Sequence, residues 1–84
     1  MRADAKVYVL KDAQKRIICI NPSLKNLMEQ IKEDSEVSRS CPDRKQAMSL
    51  LKKDYVVQIP LKGGKGQWNI ISRNLGEFIN AWTV

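Results

Sequence analysis

Val7-Tyr8-Val9-Leu10-Lys11-Asp12-Ala13-Gln14-Lys15-Arg16-Ile17-Ile18-Cys19-Ile20 is the stretch from which the fold is read. Two runs of β-branched, aromatic and aliphatic residues flank a polar segment, Lys11 to Lys15. Such side chains pack well on a pleated surface, and a short polar break between them lets the chain reverse. The stretch therefore reads as a β-hairpin, with strands over Val7–Leu10 and Arg16–Ile20. Asn21-Pro22 follows as a helix start, Asn21 as N-cap and Pro22 at the first helical position. A proline loses nothing there, because that N–H has no intrahelical partner. Leu24, Leu27, Met28 and Ile31 then recur at i, i+3, i+4, i+7, one apolar face of a helix that fades near Asp34.

The C-terminal part repeats this pattern. Tyr55 to Leu61 alternates, with Tyr55, Val57, Ile59 and Leu61 on one face and Val56, Gln58 and Pro60 on the other. That is a strand, and Pro60 marks an edge or a strand end because it donates no ladder hydrogen bond. Lys62-Gly63-Gly64-Lys65-Gly66-Gln67 is a glycine-rich turn, and Trp68 to Ile71 a fourth strand. Ser72 or Asn74 caps a last helix whose apolar face is Leu75, Phe78, Ile79 and Trp82. A gapless shift of 51 residues lays strand on strand and helix on helix, although only four positions are identical. The shared pattern argues for two ββα units.

Between them, residues 34–41 form a polar connection, and Ser40 and Asp43 fit a capping pattern around Pro42. The helix that follows runs to about Lys53, with Ala47, Met48, Leu50 and Leu51 on its apolar side. Lys45, Ser49, Lys52 and Lys53 lie opposite. A single hairpin cannot bury its own face, whereas two form a sheet that helices can cover. The expected fold is α+β: a four-stranded antiparallel sheet from two ββα units joined by an extra helix (ββα-α-ββα), with the helices packed on the sheet. All 84 residues form one domain, with units at about 5–34 and 54–83 and the inserted helix at about 41–53.

Charge is distributed unevenly. Residues 37–73 hold eight basic residues against two acids, a net of +6, which equals the formal charge of the whole chain. A one-sided positive field of this kind faces a polyanion more often than it merely solubilises. The longest apolar run, Ile17 to Ile20, is too short for a membrane span or a signal-peptide core. No helix combines lysines with an apolar face rich enough to insert, so a membrane partner is not expected. The expected compartment is the cytoplasm, a host's if the protein is viral.

Catalytic equipment is sparse. The chain has no histidine, and its two cysteines, Cys19 and Cys41, lack metal-ligand spacing. Cys19 reads as a buried free thiol, Cys41 as an ordinary residue at a helix start. Glu29, Glu33, Asp34 and Glu36 mix with Lys32 and read as a solvated face. No enzyme activity, metal or cofactor is expected. The Gly63-Gly64-Lys65-Gly66 loop holds more glycine and lysine than a turn needs, which favours phosphate contact. Its spacing is not that of a Walker A loop. Its GxxG joins two strands rather than two helices, so it is no KH loop either.

Trp68, beside that loop, is either core or a stacking platform for an unpaired base. The lysine stripe of the inserted helix suits a phosphate backbone but lacks the amide and guanidinium array that reads base edges. The reading is a small basic nucleic-acid-binding protein, RNA before DNA, tolerant of sequence. Arg44, Lys45, Lys52 and Lys53 supply backbone charge. Lys62, Gly63, Gly64 and Lys65 cradle phosphate, Trp68 stacks, and Arg44 and Arg73 add bidentate phosphate contacts. The rival is a protein-binding regulator or inhibitor of a nucleic-acid-processing enzyme such as a ribonuclease, an analogy to antitoxins and phage-encoded proteins of this size. Monomer and homodimer are both compatible, Trp82 being a candidate for an interface.

Overall fold

Two strands, two helices and two strands follow one another along the chain. The computed structural model describes residues 6–74. Their order is β1 (Lys6–Lys11), β2 (Ile17–Asn21), α1 (Leu24–Glu33), α2 (Arg44–Lys52), β3 (Val57–Pro60) and β4 (Gln67–Asn74). The four strands form one sheet in the order β2-β1-β4-β3, with every neighbouring pair antiparallel. The α+β class with an antiparallel four-stranded sheet is thus as expected. The last expected helix, carrying Leu75, Phe78, Ile79 and Trp82, lies outside the described residues.

Both helices cover one face of the sheet. Their apolar stripes meet Leu10, Val57, Ile59 and Ile70 in a single core that also takes in Leu24, Leu27, Met28, Ile31, Ala47 and Leu51. Leu27, Ala47, Val57, Ile59 and Ile70 have no exposed surface. The opposite sheet face carries the alternate residues, Val9, Ile20 and Ile71 side by side at one level.

Local chemistry sets the connections. In the β1–β2 turn the Asp12 carboxylate accepts from the Gln14 and Arg16 amides, each at 2.9 Å, and Lys15 takes a positive φ of 66°. The N-cap of α1 is Ser23, not Asn21: Ser23 Oγ accepts from the Asn26 amide at 3.3 Å. Asn21 is still paired to Tyr8 in the sheet, so its backbone is not free to open a helix. Its side chain instead accepts from the Ser23 amide at 2.8 Å and turns the chain over Pro22. α2 begins with a full capping box. Asp43 Oδ1 accepts from the Gln46 amide at 2.8 Å, and Gln46 Oε1 accepts from the Asp43 amide at 3.2 Å. Ser40 takes no part in it and hydrogen-bonds Ser38.

The second hairpin departs from its expected alternation. Tyr55 lies before β3 and is 59% exposed, because its amide donates to Leu50 O and closes the end of α2. Val57 and Ile59 are buried on the expected face, and Leu61, just past β3, packs half-buried against the same core. β3 is an edge strand that ends at Pro60, which therefore removes no interior ladder bond. β4 is longer than the expected 68–71, since Asn69–Asn74 pair along the whole of β1.

The two hairpins lie side by side in the same orientation, related by a step along the sheet. Ile20 and Ile71, 51 residues apart, both stand opposite Val9, and Cys19 and Ile70 both stand opposite Leu10. The match fails in the pairing of β3: Ile70 faces Val57 rather than Leu61, a slide of four residues. An even slide keeps every side chain on its own face, so the core survives it.

Candidate nucleic-acid interface

The helical period places Lys45, Ser49 and Lys52 on the side of α2 turned away from Ala47 and Leu51. Lys53, at the C-cap, and Arg44, in the first turn, flank them. Neither helix holds these residues against solvent alone. α1 starts beside α2, so Pro22, Leu24 and Lys25 form the facing wall of a cleft of about 630 Å³. Tyr8, from the inner strand β1, and Met48, from α2, complete its lining. Tyr8 and Met48 are half-buried and packed against the core, so they form the floor, while the five cations stay exposed at the rim.

The electrostatics of this cleft have one sign. Lys25, Arg44, Lys45, Lys52 and Lys53 line it, and no carboxylate does. Two acids adjoin these residues in sequence: Asp43, beside Arg44, has its carboxylate engaged with the helix N-terminus, and Asp54, beside Lys53, lines a separate cleft with Tyr55 and Arg73. Among the described residues the only ion pair is Arg16–Asp12, at 3.4 Å, in the β1–β2 turn. The charges add within each of two groups, Arg44 with Lys45 and Lys52 with Lys53, which stand at the two ends of α2, about 13 Å apart along its axis and so beyond the screening length of about 8 Å. A smaller cleft of about 240 Å³, shared through Lys25 and Arg44, continues the basic surface to Lys32, with Glu29 beside it.

The glycine loop lies elsewhere. β1 and β3 run in the same direction, so the turn after β3 stands at the end of the sheet where the β1–β2 turn stands. The start of α1 and the end of α2 stand at the other end. From Val57 to Lys62 the chain covers roughly 15 Å of extended backbone. Lys62 lines a cleft of about 500 Å³ whose other charged residues include Lys32, Arg39, Glu33, Asp34 and Asp43, a mixture of signs. Gly63, Gly64 and Gly66 all have positive φ, at 67°, 67° and 109°. The turn itself requires all three, so their number is no surplus over turn geometry. Lys62, Gly63, Gly64 and Lys65 are exposed.

Trp68 stands opposite Ile59 and is half-buried against the core. Arg73 lies near the far end of β4, where its Nη1 donates to Ser72 O at 3.3 Å, and lines a further cleft with Tyr55 and Val56. The ten residues expected to bind nucleic acid thus occupy separate places. The structure brings together Arg44, Lys45, Lys52 and Lys53, leaves the loop and Trp68 at the opposite end, and sets Arg73 apart. It adds Tyr8 and Lys25 to the first group. Lys25 carried a signal, since it lies off the apolar stripe of α1. Tyr8 carried none beyond its aromatic ring.

Cys19 and Cys41 are free thiols, both half-buried against the core. Among the described residues no three of His, Cys, Asp and Glu come together in a way that would hold a metal ion, and no helix is long and apolar enough to cross a membrane. No protein-family model, curated protein or solved structure matches this chain.

Proposed function

We propose that this protein binds nucleic acid, RNA ahead of DNA, through the cleft between α1 and α2, without catalysis and without reading base sequence. The observation that carries the reading is the gathering of five cations from two helices around one open cleft whose lining holds no carboxylate. Ammonium and guanidinium groups meet phosphate oxygens at short range, and binding releases the counterions condensed on the strand. The lining side chains include amines, a guanidinium, hydroxyls and a thioether, with no histidine and no carboxylate among them. α2 offers Gln46 alone as an amide, and Gln46 is engaged in the capping box, which leaves the helix unable to read a groove. Expected behaviour is therefore backbone contact that tolerates any sequence.

The test is a titration of a fluorescently labelled single-stranded RNA at several salt concentrations. With about four to six phosphates neutralised, log K should fall against log salt with a slope of roughly −3 to −4. A slope near zero removes the basic cleft from the mechanism.

A second reading, a protein-binding regulator, has one observation in its favour. β2 is an edge strand, and its Ile17, Ile18 and Ile20 are 52%, 45% and 40% exposed. Such an edge offers backbone donors and acceptors, with apolar side chains, to a strand of another protein. A partner that stays bound through a high-salt wash after ribonuclease treatment favours that reading.

A further inference from the structure

The cleft differs from a plain basic patch in having an apolar floor. Phosphate groups alone need only the rim. A convex, rigid duplex would rest its backbone on that rim and leave the floor unused, since its bases are stacked inside. Resting on the nucleic-acid reading above, we infer that the cleft takes an unpaired base. One base of a single strand enters between the helices and lies against Tyr8 and Met48, while the phosphates on either side of it meet the five rim cations.

Three observations converge on this occupant. The volume, about 630 Å³, lies within the roughly 300–1,000 Å³ usual for ligand clefts, ample for a planar heterocycle. The floor presents an aromatic ring and a thioether, and the α1 wall adds the aliphatic Pro22 and Leu24, together a surface on which a base of any identity can stack without hydrogen-bond readout. The rim matches the ligand in charge on both sides of the opening: Lys25 stands on the α1 wall, and Arg44, Lys45, Lys52 and Lys53 stand on or at the end of α2. A strand crossing the cleft would therefore find a cation before and after the seated base. Tyr8 is the central contact. It is held by β1, an inner strand of the sheet, with Asn21 on one side and Ser72 on the other, so its ring is placed in advance of binding. The glycine loop and Trp68, at the other end of the sheet, take no part in this seat.

Three ligands separate this inference from the reading on which it rests. The first is a single-stranded uridine oligomer. The second is a strand of equal length made of abasic sugar-phosphate units. The third is an RNA duplex of equal charge, and all are measured by fluorescence anisotropy at one ionic strength. The unmodified protein should prefer the base-bearing single strand over the abasic strand by about 5- to 150-fold, the range that one base–aromatic stack supports. It should also prefer the single strand to the duplex. Tyr8→Leu should abolish the preference, and Tyr8→Phe should retain it. Equal affinity for base-bearing and abasic strands, with a steep salt slope, overturns the base seat and leaves nucleic-acid binding standing. No measurable binding to any of the three overturns both. The abasic comparison needs no mutation, so a folding defect in a variant cannot imitate it.

Discussion

The helix cleft and the glycine loop look alike as sequence and differ as surfaces. Each offers clustered lysines within a few residues of an aromatic or apolar side chain. In the cleft, five cations from separate parts of the chain converge and no acid joins them. At the loop, Lys62 shares its cleft with Glu33, Asp34 and Asp43, and the neighbouring tryptophan is half-buried against the core. Charge counted along a chain is therefore a poor measure of local field, because the chain reversals decide which acids stand beside which bases.

The largest expected effect on this comparison comes from removing the seat of α1. Leu27 has no exposed surface and packs in the centre of the core. Leu27→Ala should cost about 2–5 kcal/mol, a large share of the stability of so small a domain. Urea denaturation followed by circular dichroism measures it. Since α1 supplies one wall of the cleft, RNA binding should be lost with the fold. A variant that remains as stable as the parent would show that α1 is not seated as described.

Charge removal then separates the two regions. The triple variant Lys45→Ala, Lys52→Ala and Lys53→Ala should reduce the magnitude of the salt slope by roughly 2, at about 0.7 per phosphate contact on a single strand. The pair Lys62→Ala and Lys65→Ala should change it by less than about 0.7, because the field of Lys62 is offset by Glu33, Asp34 and Asp43 and the loop lies away from the cleft. All five side chains are exposed, so stability should move by about 0.5 kcal/mol or less per substitution. Salt titrations of both variants decide the matter: a larger effect from the loop pair reverses the assignment of the two regions.

The smallest effect on binding should come from Gly64→Ala. A Cβ at that position meets nothing within 4 Å, so only the positive φ of 67° opposes it. The expected cost is about 1–2 kcal/mol of stability with RNA affinity unchanged. A marked loss of affinity at constant fold would mean that the loop backbone itself approaches phosphate.

Much of the fold was legible in local pattern. The α1 stripe of Leu24, Leu27, Met28 and Ile31 is buried residue for residue as its spacing requires, because a helix on a sheet has one way to hide those side chains. Pro60 at a strand end follows from the ladder bond it cannot make, whereas the cap of α2 was misplaced: the pattern paired Ser40 with Asp43, and Asp43 is itself the N-cap and pairs with Gln46. The cap of α1 was misplaced by two residues, since Asn21 is as good a cap as Ser23 in isolation and only its pairing with Tyr8 removes it. The pairing of β3, four residues from the repeat's expectation, was likewise hidden, because either register buries the same face.

Sequence alone determined which residues are apolar at helical or strand spacing, where the chain turns, and how much positive charge the chain carries. Those follow from side-chain chemistry and from the two periods of regular backbone. Tertiary structure alone decided the strand order β2-β1-β4-β3 and, with it, the two ends of the molecule. It set Tyr8 of β1, Lys25 of α1 and Lys52 of α2 around one cleft and sent Lys62 to the opposite end. Contacts between residues far apart in the chain depend on how hairpins join, and no local period encodes that joining.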